Sequence, residues 1–193
     1  MNLVQAATLI AAALTLVAGM PQLLRTVRSS VAGVAGGTWA TLTGVGALWT
    51  VWAIPSGVWP MVVSEGCFTL CAALIAIRRT TPARALLLAS SAAGALYAVW
   101  AVGGAGALGV AAGSVGCRGP QVVKAWRAPD VSGVSAGSWA LLLAANSCWA
   151  VAGVGKHDIV LFLGGFLSAL SSVLVIVLAQ VRSRRPVLAP DTK

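Results

Sequence analysis

The sequence predicts an all-α integral membrane protein of seven transmembrane helices. Two parallel three-helix bundles are joined by a single linker helix (3+1+3), with the N-terminus outside and the C-terminus cytoplasmic. Three observations lead there. Of 193 residues, 59% are hydrophobic and 9% charged, and the mean hydropathy of +0.92 is far from that of water-soluble domains. Charges are absent from Ala85 through Cys117 and from Ile159 through Val181, and Glu65 is the only charge between Ser29 and Ile77. A segment also occurs twice: Gly19-Met20-Pro21-Gln22-Leu23-Leu24-Arg25-Thr26-Val27-Arg28 returns as Arg118-Gly119-Pro120-Gln121-Val122-Val123-Lys124-Ala125-Trp126-Arg127. After one inserted residue, Val31 to Ala40 aligns with Val131 to Ala140, and Trp49 falls on Trp149. Self-similarity of this kind marks one structural unit used twice, and in a membrane protein it points to a transporter with its site between the halves.

The elements follow from span length and breaks. An α-helical span takes about 20 apolar residues, so Ser29 to Ile77 holds two and Ala85 to Cys117 is too long for one. Pro55-Ser56-Gly57 divides the first stretch and Gly103-Gly104-Ala105-Gly106 the second. Helices are expected at 3 to 20, 37 to 54, 58 to 77, 85 to 102, 105 to 119, 137 to 154 and 159 to 181. Met1 to Gln5 carries no lysine or arginine ahead of the apolar run, so a cleavable secretory signal is not expected and the first helix stays in the mature chain. The tail after Val181 is expected to be flexible and to lie against the cytoplasmic leaflet.

Basic residues set the orientation. With the N-terminus outside, Arg25, Arg28, Arg78, Arg79, Arg84, Arg118, Lys124, Arg127, Arg182, Arg184, Arg185 and Lys193 fall on the cytoplasmic side, twelve of the thirteen, and only Lys156 lies outside. A six-span alternative, with helices four and five fused, loses this asymmetry. Topology and anionic lipid then account for the net charge of +9 without nucleic acid as a partner. Parity gives the bundle order. Three spans reverse direction, so the unpaired fourth helix restores the orientation and makes the repeats parallel, which puts both basic Pro-Gln segments on one side.

Several chemistries have little to stand on. Cys67, Cys71, Cys117 and Cys148 fall in or at the ends of spans without C-x-x-C spacing, and read as small packing residues. The single histidine, His157, sits in a short outer loop. No metal site, no cofactor and no enzymatic triad is expected.

The duplicated Pro21-Gln22 and Pro120-Gln121, each followed by basic residues, with Trp39 and Trp139 opening the next helix, resemble the PQ-loop superfamily. The 3+1+3 layout resembles in particular the SWEET sugar transporters, whose half-size relatives are the SemiSWEETs, and the resemblance covers nearly the whole chain. It implies PQ-loop repeats at 1–77 and 103–181, a linker loop and fourth helix at 78–102, and a basic tail at 182–193. It also implies that Pro21, Gln22, Pro120 and Gln121 gate rather than touch solute. The proline can hinge a helix or mark its end, and both readings stand. Gln22 and Gln121 are expected to cap freed carbonyls.

By the same resemblance Trp49 and Trp149, at equivalent positions of helices two and six, line the solute pocket, where an indole face suits the C–H face of a sugar. Trp39, Trp59, Trp100, Trp126 and Trp139 are expected in an interfacial aromatic belt. Asn146, three residues before Trp149 on the same helical face, either contacts solute or bonds a neighbouring helix. The family's asparagine in the third helix of each repeat is missing. Its expected places are near Ser64 or Glu65 and near Gly164 or Gly165. Glu65 instead puts a carboxyl in mid-span, to carry a proton, to pair with a cation, or to reach the outer interface.

The favoured expectation is alternating-access transport of a small polar solute, a sugar, across the cell (inner or plasma) membrane as a multi-pass protein. The alternatives are proton-coupled transport of an amino acid or amine using Glu65, and a non-transporting receptor or scaffold. The bilayer is the other expected partner, and a homo-oligomer stays open, since Gly109-x-x-x-Gly113 is weak ground for one.

Overall fold

The computed structural model describes residues 2–28, 32–54, 57–101, 113–128 and 130–183. Among these the regular elements are all helical: α1 (Leu3–Ala18), α2 (Met20–Arg28), α3 (Gly36–Ala53), α4 (Trp59–Arg79), α5 (Pro82–Ala101), α6 (Gly119–Arg127), α7 (Ala136–Gly155) and α8 (Ile159–Ser183). A further helical turn covers 113–116. The expected Gly103–Gly106 turn, Gly109, most of the fifth expected helix, Pro55 and Ser56, the side chain of Trp100 and the tail from 184 onward lie outside the described residues.

Local chemistry sets the ends. At the start of α1, Asn2 Oδ1 accepts from Gln5 N at 2.9 Å while Gln5 Oε1 accepts from Asn2 N at 3.1 Å, a reciprocal cap. Ser135 Oγ accepts from Ser138 N at the start of α7, and Asp158 Oδ1 from Leu161 N at the start of α8. The first span is longer than expected. α1 breaks only at Gly19 and helix resumes as α2, with Leu23 N bonded to Gly19 O at 3.0 Å. Pro21 and Pro120 each fall at the second position of a new helical piece, where the missing N–H breaks no bond. The proline therefore follows a break and does not end the span.

Four helical stretches are long and apolar enough to cross a bilayer: Leu3–Arg28, Trp59–Arg79, Ala136–Gly155 and Ile159–Ser183. α3 is not among them, because glycines and threonines dilute it. Leucines 70, 74, 86, 87, 170 and 174 are more than 45% exposed. An apolar surface of this extent suits acyl chains rather than water.

Packing crosses the two sequence halves. α3 lies on α4 and α7 on α8 within each half, while α1 contacts both α4 and α7, and α5 leans mainly on α3. Gly44 makes the last contact close, since a Cβ there would strike the backbone of Ala89. One buried cluster gathers Trp39, Phe68, Ile75, Trp139 and Val175, and a second gathers Ala7, Ala11, Met61, Trp149 and Leu161.

Candidate functional site

A cavity of about 50 Å³ lies between these two clusters, walled by Leu42, Phe68 and Leu142 from one and by Met61, Trp149 and Leu161 from the other. That is room for a few waters. Its walls repeat with the duplication. Thr15 and Ser114, Leu42 and Leu142, Gly46 and Asn146, Trp49 and Trp149, Met61 and Leu161, and Phe68 and Ser168 are equivalent pairs that all line it.

Of the residues expected at a pocket, Trp49, Trp149, Asn146 and Glu65 are brought together here. Trp149 is 3% exposed and its Nε1 donates to Thr15 Oγ1 at 3.2 Å. The Trp49 ring packs edge-on to Trp52, centroids 5.3 Å apart. It runs over Gly164, where an added Cβ would stand 3.2 Å from Cζ2. Asn146 Nδ2 donates to Leu142 O of its own helix at 2.6 Å, which ties the amide to α7 while it still faces the cavity. Ser64 is not in the wall. It is buried and its Oγ donates to Met61 O at 3.2 Å, one turn back along α4.

Arg118 was expected at the cytoplasmic end of the fifth helix, without a place at the solute pocket, and is a wall of the cavity, 5% exposed. Its Nη1 donates to Ser114 O and, at 2.9 Å, to Ser168 Oγ, with Cys117 Sγ at 3.9 Å, while Nε has no partner. The sequence reading counted this arginine only as one of the basic residues that set the orientation. The available signal was the repeat itself, in which Arg118 stands where the first half has Gly19, just as Glu65 stands where the second half has Gly165.

At one end of the molecule the two halves hold each other through Gln22 and Gln121. Gln22 Nε2 donates to Gly133 O at 2.9 Å and its Oε1 accepts from Ser135 N at 2.8 Å. Gln121 Nε2 donates to Gly33 O at 2.9 Å and its Oε1 accepts from Ala35 N at 2.9 Å. The expected capping is thus real but directed at the opposite half. Basic residues repeat the exchange: Arg25 Nη1 donates to Ser132 O at 2.6 Å and Val134 O at 3.5 Å, and Lys124 Nζ to Val34 O at 3.0 Å. Burial first, and the like charge of Arg79 second, lower the Lys124 pKa from its ordinary value. The loop that Arg25 grips is braced by Asp130, whose carboxylate accepts from Ser132 N and Oγ and is held below the usual range by those bonds. Pro21 and Pro120 pack in the same crossed way against Gly137 and Gly37, whose built Cβ positions lie 3.8 and 4.0 Å from the proline rings. None of the four Pro-Gln residues lines the cavity.

Trp39 and Trp139 do not join an interfacial belt. Both are buried, at 0% and 1% exposure, one against the other. Trp59 and Trp126 are exposed, at 62% and 60%, and Trp126 carries the Arg182 guanidinium over its ring at 5.8 Å.

No protein-family model, no curated protein and no solved structure matches this chain.

Proposed function

We propose that the protein is a membrane transporter that moves a small polar solute by alternating access between its two repeats. The observation that carries this is the cavity whose walls come in equivalent pairs from both halves, and the reciprocal Gln22 and Gln121 bonds at one end of the molecule support a closed gate there. A site on the axis relating two halves can face either side when the halves tilt, and the bonds that close one end are of a kind that can be exchanged for water. In this reading the chain crosses the membrane seven times in a 3+1+3 order, α5 is the linker, and the Pro-Gln end faces the cytoplasm. The break at Gly19 ahead of Pro21, and the turn at Cys117–Arg118 ahead of Pro120, are the flexing points.

The resemblance to SWEET transporters puts sugars among the solutes to be tested, beside amino acids. Uptake of labelled sugars and amino acids into proteoliposomes holding the purified chain tests the transport reading. Flux of any of them above protein-free vesicles is the expected result. Binding without flux would make the protein a receptor instead.

A further inference from the structure

The two charges in the cavity wall come from opposite halves, and each has only one place it can stand. At Gly19, the counterpart of Arg118, a Cβ would lie 2.6 Å from Cys71 Cβ. At Gly165, the counterpart of Glu65, it would lie 2.6 Å from Ala150 N and 2.7 Å from Asn146 O. The wall thus holds one carboxylate and one guanidinium where the duplication has glycine in the other copy.

The two groups line the same cavity, yet no ion pair joins them among the described residues. Arg118 keeps Nε unpartnered at 5% exposure, and the buried Oγ of Ser114 beside it is unpartnered as well. Unpaired charge in a low-dielectric site is costly, and a neutral solute leaves that cost in place. A solute bearing both charges removes it twice over, through a carboxylate on the guanidinium and an ammonium on the carboxylate, each a charge-assisted hydrogen bond.

Resting on the transport reading above, we propose that the solute is a small zwitterion of the amino-acid class, its carboxylate held by Arg118 and Ser114 and its ammonium by Glu65. Trp49 and Trp149 then enclose its carbon skeleton. A cavity of about 50 Å³ has less widening to do for alanine than for a hexose, which has twice as many heavy atoms.

The test uses the full-length chain in proteoliposomes, with labelled alanine, serine, leucine and glucose. Unlabelled ethylamine, which lacks the carboxylate of alanine, and propionate, which lacks its ammonium, serve as competitors. Thermal stabilisation of the detergent-solubilised chain by the same compounds is read in parallel. The expected result is entry of one or more of the amino acids, with ethylamine and propionate each competing at least about tenfold more weakly than the parent zwitterion. Arg118→Gln should abolish the preference for alanine over ethylamine, and Glu65→Gln the preference over propionate. Because the wild-type comparison needs no variant, misfolding of either mutant leaves the proposal exposed. Flux of glucose and of none of the amino acids overturns the zwitterion and leaves transport standing, and stabilisation by glucose alone without flux overturns both. Stabilisation by amino acids without flux upholds the site and overturns transport. No effect of any compound in either assay overturns both.

Discussion

Trp39 and Trp139 meet edge to face, with ring centroids 6.4 Å apart and planes at 61°. They hold equivalent positions in α3 and α7, so the contact joins the two halves at a single buried point, and Trp39 tilts onto Phe68 as well, at 6.3 Å. Such a pair supplies area and directional preference together.

Replacing either indole with alanine should therefore cost about 3–5 kcal/mol of stability. The double variant should lose less than the sum, since each single change already removes the shared contact. Thermal or denaturant unfolding in detergent measures this, and strictly additive losses would show that the rings act separately.

The glutamine exchange predicts a crossed response. Gln22→Ala strips the partner from the Ser135 amide, and Gln121→Ala strips it from Ala35, each at about 1–3 kcal/mol for a buried group left unsatisfied. Hydrogen exchange should accelerate at Ser135 in the first variant and at Ala35 in the second. Faster exchange at the variant's own half instead would contradict the contact.

Lys124 provides a pH readout of the same end. On the transport reading its pKa is lowered in the closed contact, so closure releases protons, and the closed form gains on the open one as pH rises through the window between the lowered and the ordinary lysine value. Arg79→Gln should raise that pKa only part of the way, because burial, the larger cause, remains. Nitrogen NMR of a chain with three lysines resolves the shift, and an unmoved titration would remove Arg79 from the account.

On the transport reading, the aromatic walls make a steric prediction. Gly164→Val presses on the Trp49 ring, where even a Cβ would stand at 3.2 Å, and should reduce uptake more than Gly66→Val, whose built Cβ meets nothing within 4 Å. Trp149→Phe keeps the bulk but leaves Thr15 without its donor. It should weaken solute binding less than Trp149→Ala. Equal losses in the two Trp149 variants would locate the effect in the Thr15 bond rather than in the wall.

Glu65→Gln separates solute binding from proton carriage. If the carboxylate anchors solute, uptake falls by one factor with and without an imposed pH gradient. A loss confined to gradient-driven uptake would reassign Glu65 to the proton.

Much of this arrangement was legible in the sequence. Charge-free stretches and glycine breaks located α3, α4, α5, α7 and α8 to within a few residues, because span length is a physical constant of the bilayer. The repeat foretold which residues face each other, and so placed Trp49 and Trp149 in one cavity. The misses share a cause. Trp39, Trp139 and Arg118 were read by residue type near a membrane boundary, where indoles and cations are common at the surface. Their burial depends on the opposite half, which no local pattern encodes. Ser64 was placed by counting along α4, and its hydroxyl turned to its own helix because Met61 O is in reach. What the repeat could have shown was its exceptions, the two positions where glycine in one copy faces a charge in the other.

Those exceptions depend on the two halves sharing one chain. Built as a symmetric pair of identical halves, the cavity would receive every substitution twice, and a carboxylate in the wall would bring a second carboxylate, an arginine a second arginine. Like charges would then crowd one small buried space. Covalent fusion lets the copies drift apart, so that one half supplies the anion and the other the cation, and the cavity acquires a polarity, a head and a tail, that no twofold-symmetric vessel can have.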